Sequence, residues 1–507
     1  MRSWGGTAKS IFLFSLTFAV YYPALEVRLV ADDFCIVDHL SFEDARRFLK
    51  ESFGSLSVDG SRTKFNGRNE YRPLAGFSFA LSNWIWKGDP WGYHLESILL
   101  HAVNVILLFE WLGLLLGNGV VAFVSALLFA LHPVHHERVV WIAARDCLLS
   151  SFFLLLALST YTLFRQDHRW TNLAAKTRLP VPGLFMTVSL MGFALSLLSY
   201  EGAIVFPGFI LLLELTIFKA STDSGWAGLK SLTLRVLPFA GILLAYLTFW
   251  LVLFRGSVGH YELLPTFSGV LKNYFALLYR LFYGHQYLAG FLYFLVLALG
   301  CLAARRRRPV VLFSLSFIVI GYIPFSLIKG FADRFAYVSA IGYSLLMAIL
   351  LGSVASLARL HVKRVVRYSP TALAVVIVSS LLVYYTIALG KRIADWKMAG
   401  EIADCIPKQI KMLYPELPAG STFVFARIPQ MYGSAYVYPL GLGHAIKKYY
   451  KGLDLRVFYG SNDIEYILKA RNISDDANTY FFEYVRDERC ISKIASPFRH
   501  LLDARRG

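Results

Sequence analysis

Charge is scarce in this sequence. Asp, Glu, Lys and Arg make up only 17% of the 507 residues, against 56% hydrophobic residues and a mean hydropathy of +0.52. A water-soluble chain of this length has residues enough for a core, but it needs a polar surface that this composition does not supply. Cysteine is scarcer still. The five cysteines, Cys35, Cys147, Cys301, Cys405 and Cys490, form no CxxC pair and no metal-ligand spacing, which leaves no thiolate metal centre to consider. Cys405 and Cys490 share the last stretch of chain and would pair if it lies in an oxidising compartment. Two free thiols is the plainer expectation. No 34-residue repeat and no low-complexity tract is present, so a helical repeat array is not expected.

What is present is a series of apolar runs near 20 residues long, separated by short charged clusters, which is the pattern of a chain crossing a bilayer many times. The expected spans are 10–30, 93–116, 119–132, 148–164, 183–199, 202–218, 236–254, 286–303, 309–328, 334–357 and 370–390. The first run is not followed by an A-x-A site and is long for the apolar part of a signal peptide, so it reads as a helix. The fold class expected is a polytopic α-helical membrane protein of about eleven transmembrane helices with a small C-terminal α/β domain. Residues 1–392 form the membrane core, with outer loops 31–92, 132–147 and 255–285, and residues 393–507 form the extracytoplasmic soluble domain.

The net charge of +18 would suit nucleic acid if the basic residues gathered on one soluble surface, but most sit in short clusters between apolar runs. Nucleic acid is therefore not an expected partner, and the membrane is. With the N-terminus inside, the inner loops carry Arg165, Arg169, Lys176, Arg178, Lys219, Lys230, Arg235, Arg305 to Arg308, Arg359, Lys363, Arg364 and Arg367. The short outer loops hold fewer: Arg138, Arg145, Arg255, Lys272, Arg280, Lys329 and Arg334. The positive-inside rule selects this orientation, with the last domain outside. Within that domain Ser421–Arg427 and Leu455–Tyr459 read as strands and Ala445–Tyr450 as a short helix.

Ionisable residues at the outer boundary carry the chemistry. Asp32 and Asp33 follow the first helix directly; adjacent carboxylates raise each other's proton affinity and suit a general base or a divalent-cation ligand, or a plain helix-end turn. The segment His132-Pro133-Val134-His135-His136-Glu137-Arg138, with Trp141 and Arg145-Asp146, reads as an interfacial helix over 134–147 with Arg138 and Arg145 on one face. It lacks H-E-x-x-H spacing, so a metal site there is the less favoured reading. His94, His101 and Asn104 share a face of the second helix, either as hydrogen bonds between helices or as substrate contacts. Tyr200-Glu201 lies in a tight outer turn, and Asp333-Arg334 with Tyr337 opens the tenth span. All of these fall on one side under one topology, which suggests a cavity open to a phosphate-bearing lipid.

The order of motifs adds a resemblance. Tyr71-Arg72-Pro73-Leu74, Gly92-Tyr93-His94-Leu95, Leu99-Leu100-His101-Ala102-Val103-Asn104, Ala126 to His135 with Glu137, Arg145-Asp146, Ser199-Tyr200-Glu201 and Asp333-Arg334 with Tyr337 together resemble the GT-C superfamily of membrane glycosyltransferases. The group is related to the protein O-mannosyltransferases, in particular to the transmembrane O-mannosyltransferases that usually carry tetratricopeptide repeats. The match runs in order from about residue 31 to 396. It implies a polyprenyl-phosphate-linked sugar donor, inverting transfer to a hydroxyl of a protein, lipid or glycan acceptor, and a periplasmic or lumenal site in an integral membrane protein, here a bacterial inner-membrane one. Asp32 and Asp33 match the acidic pair where the family places its base. Arg72, His101, Glu137, Arg145, Asp146, Glu201, Asp333 and Arg334 match positions that line or support its donor site. A divalent cation on Asp32 and Asp33 is a further option. Tyr200 stands where the family commonly has lysine, and the repeats are missing. A lipid-linked sugar flippase or transporter remains the alternative, and an inert scaffold a third.

Overall fold

The apolar runs fold as helices because, without water at hand, only a helix satisfies every backbone N–H and C=O inside its own segment. The computed structural model describes residues 4–37, 40–47, 71–166, 181–218, 226–254, 266–282, 307–361, 369–439, 441–471 and 478–494. Its long helices are α1 (Trp4–Tyr21), α2 (Pro73–Trp86), α3 (Pro90–Leu116), α4 (Gly119–Leu131), α5 (Asp146–Arg165), α6 (Val181–Ser199), α7 (Phe206–Thr216), α8 (Trp226–Phe254), α9 (Phe267–Phe282), α10 (Arg308–Ser326), α11 (Ser339–His361) and α12 (Ser369–Leu413). Local chemistry sets several of the ends. The Asp89 side chain accepts from Trp91 N to open α3, with Pro90 at its first position, and Asn118 accepts from Val120 N and Val121 N to open α4.

Ten of the eleven expected spans lie on α1, α3 to α8 and α10 to α12; the span at 286–303 lies outside the described residues. Among the described residues six helices are long and apolar enough to cross a membrane, and α4 with Pro133–Val140 forms a pair bent by 50°. Small residues let the helices touch. A Cβ on Gly342 of α11 would fall 2.7 Å from the Ser314 carbonyl oxygen of α10, and one on Gly192 of α6 would fall 3.1 Å from the Phe153 carbonyl oxygen of α5.

Helix α12 has 45 residues, about 67 Å at 1.5 Å per residue and so well over the hydrocarbon thickness of roughly 30 Å. The boundary drawn at 392–393 falls inside it, and one helix runs from the membrane part into the tail. There β1 (Thr422–Ala426), β4 (Arg456–Tyr459), β5 (Thr479–Val485) and β6 (Cys490–Lys493) form a sheet in the order β4-β1-β5-β6. Strand β1 is parallel to both neighbours and buried along its length, which is why its five residues TFVFA are apolar or small on both faces. A hairpin of β2 (Met431–Tyr432) and β3 (Ala435–Tyr436) packs on α12. The short tail helix starts at Leu442, three residues ahead of its sequence expectation.

Two contacts fix the tail. Cys405 on α12 is disulfide-bonded to Cys490 on β6, with Cα atoms 5.9 Å apart. The free-thiol expectation is thereby corrected, because the fold closes an 85-residue separation that spacing along the chain conceals. Val437 O accepts from Ala31 N at 2.9 Å, and Phe34 stacks on Tyr438 with centroids 5.7 Å apart. Gly441 has φ +94°, and a Cβ there would lie 2.0 Å from Ala31 O, so only glycine permits this approach. Replacing Cys405 and Cys490 by serine is expected to destabilise the tail by about 2–4 kcal/mol. Thermal unfolding followed by tail proteolysis would show it as an earlier transition, and an unshifted one would contradict the pairing.

Candidate functional site

The first helix ends at Tyr21, nine residues short of its expected end. After the 3₁₀ turn Tyr22–Glu26 and an extended stretch, the acidic pair opens a one-turn helix, Asp33–Ile36, and this segment is held from three sides. Asp33 Oδ1 accepts from Ala143 N at 2.9 Å and Oδ2 from Val30 N at 3.2 Å. The tail holds Ala31, as above. Beyond the pair, the Asn83 amide on α2 donates to Ile36 O at 3.0 Å and Leu40 O at 2.9 Å. Both carboxyls are buried. Burial pushes the Asp33 carboxyl well above the usual carboxylate range, and the adjacent Asp32 charge adds to this. The two backbone donors, Ala143 and Val30, work in the other direction. Among the described residues no three His, Cys, Asp or Glu side chains converge as a metal site would need. Two carboxylates, one with both oxygens on backbone N–H groups, do not make a complete cation site.

The segment 132–147 is not the single interfacial helix its pattern predicts. It is three short turns, Pro133–His135, His136–Val140 and Ile142–Ala144, broken at Trp141, whose backbone is extended. The break sends Arg138 and Arg145 to different partners. Arg138 Nη1 donates to Asp146 Oδ1 at 3.0 Å, Nη2 to the Tyr200 hydroxyl at 2.9 Å and Nε to Arg334 O at 2.9 Å. Arg145 instead pairs with Glu96 on α3 and donates to Ser82 Oγ at 2.8 Å. Glu96 also accepts from Trp86 Nε1 at 2.7 Å.

From Arg138 the ion pairs run on in both directions. Asp146 pairs with Arg72, and Arg72 closes a two-pronged contact with Glu201. On the other side Glu137 accepts from Arg334 N at 3.0 Å and lies 3.3 Å from its Nη1, which also donates to the Tyr436 hydroxyl of the tail hairpin at 2.9 Å. Tyr200 occupies the centre. The guanidinium carbons of Arg72 and Arg138 each lie 4.7 Å from its ring centroid. An aromatic face between two cations is attractive where a lysine would repel both, so the departure from the family residue fits its surroundings.

Asp333 belongs to a neighbouring cluster. Its Oδ2 accepts from Arg392 Nη1 at 2.8 Å and lies 3.1 Å from His136 Nε2, while Oδ1 pairs with Arg280 at 2.9 Å. His136 Nδ1 accepts from Trp396 Nε1 at 2.7 Å, and its Nε2 lies 2.8 Å from Arg392 Nη1 and 3.1 Å from Asp333 Oδ2. Burial opposes the Asp333 charge, but the His136 hydrogen bond and the Arg392 and Arg280 charges outweigh it and hold the group at about 2. His101 lies deeper in the bundle, with Nδ1 2.8 Å from the Tyr337 hydroxyl and Nε2 3.2 Å from Ala130 O. His94 and Asn104 bond Val27 O and Leu148 O, each at 2.9 Å. This face of α3 thus holds helices together. The ion-pair layer also contains Glu96, Arg280, Arg392, Trp396 and Tyr436, none of which the sequence reading placed in the site, and His136, which it named only within a disfavoured metal-binding segment. Of the first five only Arg280 had a sequence signal, its position in an expected outer loop.

No protein-family model matches the chain. Over 148 residues, 27% of this chain and 17% of the relative, it is 34% identical to the human protein O-mannosyl-transferase TMTC2. Over 160 residues, 31% of this chain and 17% of the relative, it is 31% identical to the human protein O-mannosyl-transferase TMTC3. The chain thus matches less than a fifth of the length of these relatives. The oligosaccharyltransferase of Archaeoglobus fulgidus in the apo form superposes with a TM-score of 0.54 at 11% identity, covering 95% of this chain and 69% of that one. Its complex with an inhibitory peptide and a dolichol-phosphate gives 0.50 at 13% identity, covering 96% and 70%. The chain shares the fold of this archaeal oligosaccharyltransferase.

Tyr200→Lys sets a third cation beside Arg72 and Arg138 and is expected to lower the melting temperature markedly. Tyr200→Phe keeps the ring and loses one hydrogen bond, a cost of about 1–3 kcal/mol because it leaves the Arg138 donor buried. Melting curves of the two purified variants decide it, and a lysine variant as stable as wild type would contradict the ring's part in the network.

Proposed function

We propose, taking the fold shared with the archaeal oligosaccharyltransferase as premise, that the chain is a GT-C glycosyltransferase working on the non-cytoplasmic face of its membrane. It moves a sugar from a polyprenyl-phosphate donor to a hydroxyl acceptor with inversion at the anomeric carbon. The observation that carries this reading is the buried acidic pair at the start of the one-turn helix Asp33–Ile36. Backbone donors clamp Asp33, and a layer of arginines and carboxylates begins just beyond Ala143. The dolichol-phosphate in the archaeal complex supports a lipid phosphate as the donor's leaving group. The stretches matched to the O-mannosyl-transferases support a hydroxyl acceptor. The Cys405–Cys490 disulfide supports a tail exposed to an oxidising compartment, such as a periplasm or an organelle lumen. So does the excess of Lys and Arg in the opposite loops.

The chemistry asks for two things from the protein. As the acceptor oxygen forms its bond to the anomeric carbon, the hydroxyl proton passes to the carboxylate of Asp32 or Asp33. As the bond from that carbon to the phosphate oxygen breaks, the electron pair leaves with the phosphate, whose growing charge is met by guanidinium donors fixed beforehand. A guanidinium positioned beforehand and still reachable needs little reorganisation during the step. The backbone clamp does the same for Asp33, whose raised proton affinity lets it hold the transferred proton.

Label transfer from a polyprenyl-phosphate sugar to acceptor by the purified protein tests the function. The variant Asp32→Asn/Asp33→Asn is expected to lose about 10²- to 10⁴-fold in rate, and an undiminished rate would rule out the acidic pair as base. The pH profile adds a second check. The ionised form of Asp33 grows only as pH rises through its elevated value, so the acidic limb of the rate profile should lie above the ordinary carboxylate range. That limb should move in Asp33→Asn; a profile with its limb near an ordinary aspartate would contradict the assignment.

A further inference from the structure

A donor phosphate needs a guanidinium that is reachable and whose charge is not already closed by a carboxylate. Most outer arginines fail one of these conditions. Arg138 is enclosed, Arg145 is buried on Glu96, and Arg72 holds Glu201 with two prongs and Asp146 with a third. Arg334 is held by Glu137 and Tyr436, and lies among the rings of Trp141, Phe335 and Tyr436 at 4.9–5.8 Å.

Arg280 differs. Its side chain is 36% exposed, and it meets one oxygen of Asp333, whose other oxygen is engaged by Arg392 and His136. A guanidinium with five N–H donors is not saturated by one such contact. The helix that presents it differs too. On α9 the residues Gly269, Asn273, Leu277 and Leu281 face inward, and the Asn273 amide donates to Ser326 O at 2.9 Å and Ile328 O at 2.7 Å, fixing α9 to the end of α10. On its other side Phe267, Leu271, Phe275 and Leu278 form an exposed apolar stripe at helical spacing, while Arg280, three residues from Leu277 and seven from Asn273, lies in the last turn on the inward face. A helix with an apolar outer face and a cation at its end, beside apolar spans, has the design of one lying at the boundary between acyl chains and head groups.

We propose that Arg280 is the residue that takes the phosphate of a polyprenyl-phosphate lipid, with the outer stripe of α9 as the bed for the first isoprene units. This rests on the transferase reading and names its donor site. Asp333, which holds Arg280, precedes Arg334 in the chain, so the same short turn joins this cation to the ion-pair chain through Arg334 and Glu137.

Binding of tritiated polyprenyl monophosphate to the full-length protein in phosphatidylcholine nanodiscs tests it. Arg280→Gln should bind about tenfold or more weakly, the loss of a charge-assisted contact, and Arg280→Lys should fall between the two. Phe275→Ser, on the stripe and clear of the ion pairs, should weaken the polyprenyl phosphate but not a short geranyl phosphate, and it serves if the glutamine variant does not fold. Phosphatidylglycerol should compete poorly. Equal binding by wild type and Arg280→Gln would overturn the donor-site assignment and leave the transferase standing. Phosphatidylglycerol competing as well as the polyprenyl phosphate would overturn it as mere head-group attraction. No binding by wild type would overturn both.

Discussion

Much of the outer face depends on one buried carboxylate held by two backbone N–H groups. Asp33 receives Val30 N from the extended stretch that precedes it and Ala143 N from the turn that leads into α5. A charge-assisted bond of this kind ties chain segments 110 residues apart and sets Arg145 and Asp146 a short step from the acidic pair. The same turn contributes the Ala144 carbonyl to Arg138 at 3.3 Å. Shifting Asp33 would therefore shift the start of the ion-pair layer as well. Burial makes the carboxyl basic, the backbone donors make it immobile, and both properties suit a group that must take a proton at a fixed place.

The rest of the layer follows from the cost of placing charge at the edge of an apolar bundle. Each buried guanidinium is matched by a carboxylate, a carbonyl or an aromatic face, since an unmatched charge would be far more costly than the pair. Tyr200 shows how one change of residue is absorbed, its ring and hydroxyl serving two arginines at once. The tail joins this layer rather than standing apart, through Val437 on Ala31, Tyr436 on Arg334, and Arg392 and Trp396 of α12 on the Asp333 cluster. A single continuous helix links the membrane part to these contacts, which accounts for a site built jointly by core and tail.

Helix existence was legible in the sequence because hydropathy records it directly: each described apolar run lies on a helix. Even so, α1 ends nine residues early, α12 runs far past its span, and α2 and α9 lie outside the expected spans. The clustering of Glu137, Arg138, Asp146, Glu201 and Arg334 was legible too, since each falls between apolar runs or at the edge of one. Pairing was not. Arg138 and Arg145 share a face on an ideal helix, and the extended backbone at Trp141 separates them, a break that no proline or glycine announces. The partners of Asp333 come from α9, α12 and the segment after α4, and contacts such as those across 59 and 197 residues leave no local pattern. The pairing of Cys405 with Cys490 was hidden for the same reason, as were β5 and β6, whose pairing in the sheet is settled by the neighbouring strands.

The central claim is that a lipid phosphate and the acidic pair meet on one outer face. A structure of the protein with a polyprenyl monophosphate bound tests it most directly. The expected result places the phosphate among the outer arginines, on the side of the bundle that holds Asp32 and Asp33. A phosphate found at the opposite end, by the Arg165 and Arg235 that pair with Glu214, would contradict it.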